Sequence, residues 1–524
     1  MKIALFHYHL KPGGVTEVIV HSVRAILPRM PKISEIRLVT GSEDGTNAVM
    51  SRIREGMDRV SADKIKLDIL SEVAYVSDGE VLDIDSITRR LKARYDEDTL
   101  WWIHNYHLGK NPYFTAALMK TAASGHRNIL LHIHDFPECG RIDNQLRLDK
   151  TLDSPAYPTG PRIRYAVINE RDRRMLSDAG MEQAVTLLPN PVPPPPQGNS
   201  DPERMKAALE ETCRQVNPGY TPEGKTLLYP VRAIRRKNVL EAGLMAVLMK
   251  EPVNLIITLP GDSSQEKAYS DSVENAFKTG LIPGVWCPGQ SGNPLLSYPN
   301  LATNCDGVIS TSVQEGFGYL FLNALHWRKP LLARYLDILD DILGLYGEYP
   351  RRFWADFRVP LDKSFIQRTE QAYLRKIQEQ SHVIPERVLK SLHSSVKKIA
   401  ASGTMDISFL SVPDQLEILK KAKDASWRNE AVQLNQELLE SVSCTLMADP
   451  PDMSGTLADR YSDGAFARTF VGILNSFGGK TPMVPAGKIK EAVYKAFGRI
   501  DYFRLLYDQA AATKSPPRRR GSGL

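Results

Sequence analysis

The sequence lacks the paired cysteines and the long apolar runs that mark several common classes of protein. Its five cysteines lie far apart and form no Cys-x-x-Cys pair, so we expect neither a disulfide framework nor a zinc site. No apolar run approaches the roughly 18 residues that a transmembrane helix needs. The first residues, a short apolar strand followed by histidines, predict no signal peptide. These absences together predict a cytoplasmic protein.

The chain also lacks a strong excess of either charge. Its net charge of +6 comes from 67 Lys and Arg against 61 Asp and Glu, so we predict no nucleic-acid partner. Part of the excess lies in a basic tail, 511–524, which we expect to be disordered and merely solvated. With 524 residues and 42% hydrophobic residues, the chain is expected to form two or three globular domains.

Short apolar runs alternate with helix-like stretches over about the first 335 residues. This alternation predicts an α/β protein with doubly wound, mainly parallel sheets. A proline-rich segment at 188–196 interrupts the pattern and predicts two Rossmann-like domains that face a cleft. The predicted divisions are a first domain at 1–190, a connector at 191–225, a second Rossmann-like domain at 226–336, a helical insertion at 337–450 and C-terminal helices at 451–510.

The insertion is charged and helix-prone, and we see no convincing strand in it. Its role is open, because a packing surface, a surface for a homo-oligomer and a lid over an acceptor all fit this composition.

An acidic, glycine-rich turn is the most informative feature of the chain. It follows a strand-like run at 307–310, precedes an apolar segment of helical length and consists of Glu315, Gly316, Phe317 and Gly318. A helix entered through Gly-x-Gly presents free backbone N–H groups and the positive end of its dipole, which suit a diphosphate. A carboxylate would repel phosphate, so we predict that Glu315 accepts hydrogen bonds from hydroxyl groups. The alternative is a buried turn in which Glu315 only caps the helix.

A cluster of cations follows the strand that opens the second domain. It contains Arg232, Arg235, Arg236 and Lys237, with a helix-like segment behind it. Because the cluster comes at the carboxyl end of a predicted strand, we favour diphosphate binding over a solvated basic turn.

Gly13 and Gly14 lie between the first strand and the first helix. They lack the full Gly-x-Gly-x-x-Gly pattern, and no acidic residue clearly ends a second strand, so a nicotinamide dinucleotide site is disfavoured. A ligand loop and a plain tight turn both remain open at this position.

Polar residues follow another predicted strand of the first domain. They are His132, His134, Asp135, Glu138 and Arg141. We expect His134 to contact a sugar hydroxyl, and the three charged residues to line an acceptor pocket. A structural histidine is the main alternative to this role of His134. Metal ligation by the two histidines and Asp135 is a further alternative, which the absence of other nearby ligands disfavours.

His107 follows a neighbouring strand and is a further candidate for acceptor binding, with the same alternative of a structural histidine. Asp83 and Asp85 resemble the metal-binding pair of some sugar transferases. Because they precede a helical pattern, we interpret them as capping residues.

Taken in order, these elements resemble the retaining glycosyltransferases of the two-Rossmann, or GT-B, type, and specifically glycosyltransferase family 4. The resemblance covers about residues 1–335, and a late segment at 457–466 looks like the family's Tyr-Ser…Phe helix. The matching positions are Gly13, Gly14, His134, Pro189, Asn190, Arg232, Lys237 and Glu315 to Gly318. One position departs from the family pattern, because Asn323 stands where a second Glu usually holds the nucleotide ribose.

The resemblance implies transfer of a sugar from a nucleotide-diphosphate donor to a hydroxyl acceptor, with retention at the anomeric carbon. In this scheme Arg232 and Lys237 stabilise the leaving diphosphate without a metal ion or cofactor, and the amides of Gly13 and Gly14 add donors. Glu315 and His134 hold the sugar. The turn glycines, Phe317 and Asn323 bind the donor.

Three other functions remain in view: a sugar-nucleotide epimerase, a non-catalytic relative that senses sugar nucleotides, and an oxidoreductase, which is the least supported. For the acceptor we favour a small soluble molecule over a lipid. The sequence does not identify the donor sugar or the base of its nucleotide.

Overall fold

The computed structural model describes residues 1–77, 79–213, 217–400 and 403–508. The basic tail that we expect to be disordered, 511–524, lies outside the described residues. Of the described helices, none is both long and apolar enough to cross a bilayer.

The first domain is a parallel sheet with helices on both faces. Its strands are β1 (Lys2–Phe6), β2 (Glu35–Thr40), β3 (Ile65–Ile69), β4 (Leu100–His104), β5 (Ile129–Ile133), β6 (Ile163–Val167) and β7 (Val185–Leu187). Its helices are α1 (Gly14–Ile26), α2 (Thr46–Arg54), α3 (Arg59–Asp63), α4 (Ile84–Arg94), α5 (Pro112–Ala123), α6 (Ile142–Thr151) and α7 (Glu170–Leu176). The sheet order is β3-β2-β1-β4-β5-β6-β7. Every residue of β4, β5 and β6 is buried, as expected for strands covered on both faces.

The second domain repeats this architecture. It contains α8 (Pro202–Cys213), β8 (Lys225–Arg232), α9 (Val239–Leu248), β9 (Val253–Leu259), α10 (Lys267–Lys278), β10 (Gly284–Trp286), α11 (Tyr298–Asn304), β11 (Gly307–Ser310), α12 (Tyr319–Trp327), β12 (Leu331–Arg334), α13 (Leu343–Tyr346) and β13 (Arg351–Trp354). The described strands form a parallel sheet in the order β10-β9-β8-β11-β12-β13. The two doubly wound domains that the sequence predicts are therefore confirmed.

The segment between the two sheets is only partly the irregular connector that the prolines predict. Residues 188–201 have no regular secondary structure, but α8 follows them within the predicted connector. The buried face of α8, which includes Met205 and Leu209, belongs to the core of the second domain. The second domain therefore begins before the strand that the sequence pattern identifies as its start.

The predicted helical insertion also differs from the expectation, because it contains strands. β13 lies inside it and extends the second sheet by pairing with β12. The remainder contains β14 (Arg358–Pro360), α14 (Lys363–Gln380), α15 (Glu386–Ile399), β15 (Thr404–Asp406), α16 (Val412–Lys421), α17 (Ala425–Leu434) and α18 (Gln436–Thr445). β14 and β15 form a small antiparallel pair. These strands have only three or four residues each, which is too short for a clear alternating pattern.

Two of the three C-terminal helices return to the first domain. α19 (Ser454–Tyr461) packs in the core of the second domain through Leu457 and Tyr461, whereas α20 (Asp463–Ser476) and α21 (Ala486–Phe497) contact the first domain. Phe470 of α20 packs on Trp102 of β4 with ring centroids 4.6 Å apart, and Phe466 joins the same cluster. The two domains are thus connected by the chain twice, once at 188–201 and again through α20.

Candidate active site at the domain cleft

A cleft of about 470 Å³ lies between the two domains, at the carboxyl ends of strands from both sheets. The first domain contributes residues that follow β1 and β5, and the second contributes residues that follow β8 and β11. This is where ligands bind in open α/β sheets. The candidate site residues that line the cleft are Gly14, His134, Asp135, Arg141, Lys237, Glu315, Gly316, Phe317, Gly318 and Asn323.

The glycine loop of the first domain leaves room for a ligand. Helix α1 begins at Gly14, and no side chain caps its amides. A Cβ added at Gly14 would meet no atom within 4 Å, so neither packing nor a positive φ explains a glycine here. Gly13, in contrast, does not line the cleft. The helix N-terminus at Gly14 is therefore open to an anion in the cleft.

The acidic turn of the second domain packs closely on the first domain. A Cβ added at Gly316 would lie 3.1 Å from the backbone oxygen of His134. The Asn169 side chain donates a hydrogen bond of 2.8 Å to the Gly316 carbonyl. Gly318 has a φ of +89°, and a Cβ there would lie 2.5 Å from the Phe321 ring, so the turn requires glycine. The turn holds Glu315 at the domain interface.

Glu315 forms ion pairs with two cations that follow β8. Arg236 Nη1 lies 2.8 Å from one carboxylate oxygen, and the Lys237 ammonium is paired with the other. Burial opposes ionisation of Glu315, but the charges of Lys237 and Arg236 outweigh it and lower its pKa to about 2. Burial also disfavours charge on Lys237 and lowers its pKa to about 8, although Glu315 acts in the opposite direction. At neutral pH all three groups are charged.

Arg232 is not part of this cluster. It is exposed and does not line the cleft, whereas Arg236 does. β8 extends to Arg232, which pairs with Leu259 of β9 beyond a register shift. The cation that joins Lys237 in the cleft is therefore Arg236, and the sequence pattern did not single it out from its neighbours.

His134 lines the opposite wall and is held in place by the first domain. Its backbone N–H donates to the Asn105 side chain at 2.8 Å, and its Nε2 shares a hydrogen bond of 2.8 Å with Nδ1 of His104. Burial lowers the pKa of His134 to about 4, so its ring is neutral at pH 7. A neutral imidazole can offer one donor or one acceptor to a sugar hydroxyl.

His104, His132 and His134 form a buried cluster whose candidate ligand nitrogens all lie within 4.8 Å of one another. Its third member is His104, not the Asp135 considered from the sequence. Trp102 Nε1 donates to Nδ1 of His132 at 3.3 Å. Because Nδ1 accepts this hydrogen bond, the neutral His132 ring carries its proton on Nε2. A protonated Nε2 cannot bind a metal, so this tautomer of His132 is not a metal ligand. We interpret the cluster as a set of neutral rings that orients His134.

Asp135 and Arg141 line the cleft as a pair, with Arg141 Nη2 3.1 Å from a carboxylate oxygen of Asp135. The charge of Asp135 raises the pKa of Arg141. Each side chain is about one third exposed, so both can reach a molecule in the cleft.

His107 and Glu138 do not line the cleft, which differs from the sequence prediction. His107 is buried against Phe136 and Tyr157, and burial lowers its pKa to about 3. The Glu138 carboxylate accepts a hydrogen bond from Tyr157 Oη at 3.0 Å, and burial raises its pKa to about 7. Both residues are buried and lie outside the cleft lining.

The cleft contains residues that the sequence analysis did not select. Tyr507 lines it and donates a hydrogen bond of 2.9 Å to the Gln314 side chain, across 193 positions of the chain. Gln314 also contacts the Cys139 sulfur at 3.0 Å. Asn190, noted only as part of the interdomain motif, lines the cleft as well. A local sequence pattern does not predict contacts between residues that are so far apart in the chain. Asn190 could have been selected, because it lies beside the prolines that mark the domain boundary.

Asp83 caps a helix, as predicted. Its carboxylate accepts hydrogen bonds from the backbone N–H groups of Asp85 and Ser86 at the start of α4. The Asp85 carboxylate pairs with Lys120 at 2.7 Å. Neither residue lines the cleft.

Comparison with known proteins yields one similar curated sequence and many similar folds. No family model matches the chain. Mannosylglucosyl-3-phosphoglycerate synthase of Petrotoga mobilis is 29% identical over 521 residues, which cover 96% of this chain and 99% of the relative. The structure of Anabaena HepE in complex with UDP and glucose matches with a TM-score of 0.50 at 11% identity, covering 91% of this chain and 100% of HepE. The same protein in complex with UDP-glucose gives a TM-score of 0.49 at 10% identity, with the same coverage.

At 11% identity the match to HepE concerns the fold alone. It agrees with the two parallel-sheet domains and the cleft between them. The fold expected from the sequence resemblance is therefore confirmed, while membership of family 4 stays a prediction. The chain has the GT-B fold.

Proposed function

We propose that this protein is a glycosyltransferase that moves a sugar from a nucleoside-diphosphate sugar to a hydroxyl group of a small acceptor, with retention. The observation that carries the proposal is the cluster of Glu315, Arg236 and Lys237 in the cleft of a GT-B fold. Two cations suit a diphosphate, and a carboxylate suits the hydroxyl groups of a sugar. The similarity to a sugar-phosphoglycerate synthase over nearly the whole chain supports the same activity.

Departure of the nucleoside diphosphate is the difficult part of the reaction, because charge grows on the leaving phosphate. Lys237 and Arg236 are positioned to stabilise that charge, and the open N-terminus of α1 at Gly14 adds backbone donors. In this proposal Arg236 takes the role first expected for Arg232. Two cations supply the stabilisation that a metal ion gives in other transferases, so we propose a reaction that needs neither metal nor cofactor.

Glu315 and His134 hold the donor sugar from opposite walls. Once the diphosphate occupies the cations, the Glu315 carboxylate is released to accept hydrogen bonds from sugar hydroxyls. His134 is neutral and serves the sugar as a hydrogen-bonding group, so it is not the base. We propose that an oxygen of the leaving phosphate takes the proton of the acceptor hydroxyl, which bonds to the anomeric carbon on the face that the phosphate leaves. Retention then requires no side-chain nucleophile.

The relative's name points to the acceptor. A synthase of mannosylglucosyl-3-phosphoglycerate that adds the outer sugar would take glucosyl-3-phosphoglycerate as acceptor and a mannose donor. We propose the same acceptor and donor sugar for this chain. Such an acceptor is small and anionic, in line with the small soluble acceptor expected from the sequence.

An epimerase is less well supported, because Glu315 is held by two cations at a pKa of about 2 and is a poor acid or base. A sugar-nucleotide sensor would share the cleft and bind the donor without turnover.

The proposal is tested by incubating the protein with GDP-, UDP- and ADP-mannose and the matching glucose donors, with and without glucosyl-3-phosphoglycerate. Release of nucleoside diphosphate that depends on both donor and acceptor is expected for one mannose donor. Binding of a donor without release would indicate a sensor. Conversion of the donor sugar without release would indicate an epimerase.

A further inference from the structure

We infer that Gln314 binds an oxygen atom of the acceptor substrate through its side-chain amide, and that Tyr507 orients this amide. The inference rests on the proposed function, because it adds two residues to the same site. Gln314 is then a substrate-binding residue, whereas Tyr507 acts through Gln314 as a positioning residue.

The backbone of Gln314 is attached to the cluster that we propose for the sugar donor. Gln314 immediately precedes Glu315 in the turn after β11 and lines the cleft. Its carbonyl accepts a hydrogen bond of 3.1 Å from Nη1 of Arg236, the nitrogen that also pairs with Glu315. The same arginine therefore fixes both residues of the turn.

The Gln314 side chain reaches the first domain. Its Nε2 lies 3.0 Å from Sγ of Cys139, which also lines the cleft. Cys139 belongs to the loop between β5 and α6, which carries Asp135 and Arg141 as well. The amide therefore lies between the turn with Glu315 and the wall that the sequence predicts for the acceptor substrate.

The NH₂ group of Gln314 can take a better hydrogen-bond partner than the one it has. In the part of the chain that the structure describes, the Cys139 sulfur is its only partner. Burial raises the pKa of the Cys139 thiol, so the sulfur stays neutral, and a neutral thiol is a weak acceptor. An amide NH₂ has two N–H groups, so one is available to a ligand even while the sulfur holds the other. A hydroxyl or carboxylate oxygen of the acceptor substrate would form the stronger bond.

Tyr507 determines which end of the Gln314 amide lies beside Cys139. Its Oη donates a hydrogen bond of 2.9 Å to Oε1 of Gln314. Burial raises the pKa of Tyr507, so the hydroxyl keeps the proton that this bond needs. With Oε1 held by Tyr507, the NH₂ group stays on the side of the first-domain wall.

Contacts with the second domain and with the predicted insertion hold Tyr507 in place. The Tyr507 carbonyl accepts a hydrogen bond from Arg235, which pairs with Glu266 at 3.1 Å. The next residue, Asp508, pairs with Lys376 of α14. The insertion, whose role the sequence leaves open, thus supports the residue that orients Gln314.

The test is calorimetric titration of the full-length protein with glucosyl-3-phosphoglycerate, the proposed acceptor. Gln314→Met keeps the length of the side chain and removes its amide, so it should weaken binding about fivefold to tenfold, as loss of one hydrogen bond does. Tyr507→Phe removes only the hydroxyl and should weaken binding about twofold to fivefold. Gln290→Met, at an exposed glutamine of the second domain, is the matched control and should bind like wild type. Thermal unfolding checks that each variant is folded.

A double variant separates positioning by Tyr507 from a general structural role. If Tyr507 acts through Gln314, adding Tyr507→Phe to Gln314→Met should weaken binding no further, because the amide that it orients is already absent. A second titration uses UDP, GDP and ADP. Each nucleotide that binds wild type should bind Gln314→Met equally, since the amide is assigned to the acceptor substrate.

Equal acceptor binding by wild type and Gln314→Met, or no binding by wild type, would overturn the role of Gln314. A loss of nucleotide affinity in Gln314→Met as large as the loss for the acceptor would also overturn it. If the effects of the two substitutions multiply in the double variant, Tyr507 is not a positioning residue. If the acceptor binds as expected but no donor transfers its sugar, the proposed function fails and the role of Gln314 stands.

Discussion

Arg236 and Glu315 form an ion pair in the cleft, with Nη1 of the arginine 2.8 Å from Oε2 of the glutamate. Lys237 binds the other carboxylate oxygen, so the groups proposed for phosphate and for sugar are paired with one another in the ligand-free protein. A bound diphosphate would replace the carboxylate on the cations and free Glu315 for the sugar. The ion pairs thus keep the charged groups near their working positions before the donor arrives.

Lys237→Ala is expected to lower turnover by about a hundredfold or more, as removal of one donor to a developing oxyanion does. The change also leaves Glu315 with Arg236 alone. Turnover is measured at saturating donor, with Lys250→Ala, an exposed lysine of the second domain, as the control. Near-normal turnover of the Lys237 variant with bound donor would contradict the assignment.

The pH dependence of donor use should report Lys237. Its pKa is lowered to about 8, so the neutral amine appears as pH rises through that value. We therefore expect kcat/KM for the donor to fall above about pH 8. The profile of Lys237→Arg should stay flat in this range, because guanidinium remains charged. A wild-type profile that stays flat to pH 9.5 or so would contradict a role for the charged Lys237.

Asn323 is expected to tune donor affinity more than turnover. It is half-buried on α12 and lines the cleft, while its neighbours Phe321, Leu322 and Leu325 are buried. An amide makes neutral hydrogen bonds to a ribose diol, which are weaker than those of a carboxylate.

Asn323→Glu should tighten donor binding by up to roughly tenfold, about 1.4 kcal/mol. Asn323→Ala should weaken it and leave saturated turnover within severalfold. Asn275→Ala, on the exposed part of α10, is the control. If Asn323→Ala changes neither donor affinity nor rate, the residue does not contact the nucleotide.

Activity should persist in excess chelator, because Arg236 and Lys237 already supply two cations at the proposed phosphate site. The test compares initial rates of dialysed protein with EDTA and with added magnesium or manganese. Complete loss in EDTA that either metal restores would refute the metal-free scheme. The candidate metal ligands would then be the acidic residues of the cleft, because Asp83 caps a helix and Asp85 pairs with Lys120 outside the cleft.

Arg334→Leu should destabilise the second domain by about 3–5 kcal/mol, because it leaves two buried carboxylates without their shared cation. Arg334 pairs with Glu241 at 2.7 Å and with Asp406 at 2.8 Å, and all three side chains are buried. Chemical unfolding measures the change. Arg375→Leu, at an exposed position of α14, should alter stability by less than about 0.5 kcal/mol.

The parts of the site that the sequence predicts are local. Glu315 to Gly318 form one strand-to-helix turn, and Gly14 opens the helix after β1, so composition and order suffice to identify them. His134 follows β5 directly and lines the cleft, so its position at the end of a predicted strand suffices to identify it.

The parts that the sequence does not predict depend on register or on distant contacts. Arg232 is excluded from the cleft because β8 continues through it after a register shift. His107 and Glu138 follow predicted strands, yet loops bury them behind the wall. Tyr507 reaches the cleft through long-range contacts, because its carbonyl accepts a hydrogen bond from Arg235 and its hydroxyl donates one to Gln314. The family 4 assignment, the metal-free mechanism, the acceptor and the cytoplasmic location stay predictions.

The most direct test of the central proposal is proton NMR of a reaction between a mannose nucleotide donor and glucosyl-3-phosphoglycerate. The account predicts a new anomeric signal with the configuration of the donor, and loss of that signal in Lys237→Ala. An inverted product, or a donor that stays intact with every nucleotide tested while the folded protein is present, would contradict it.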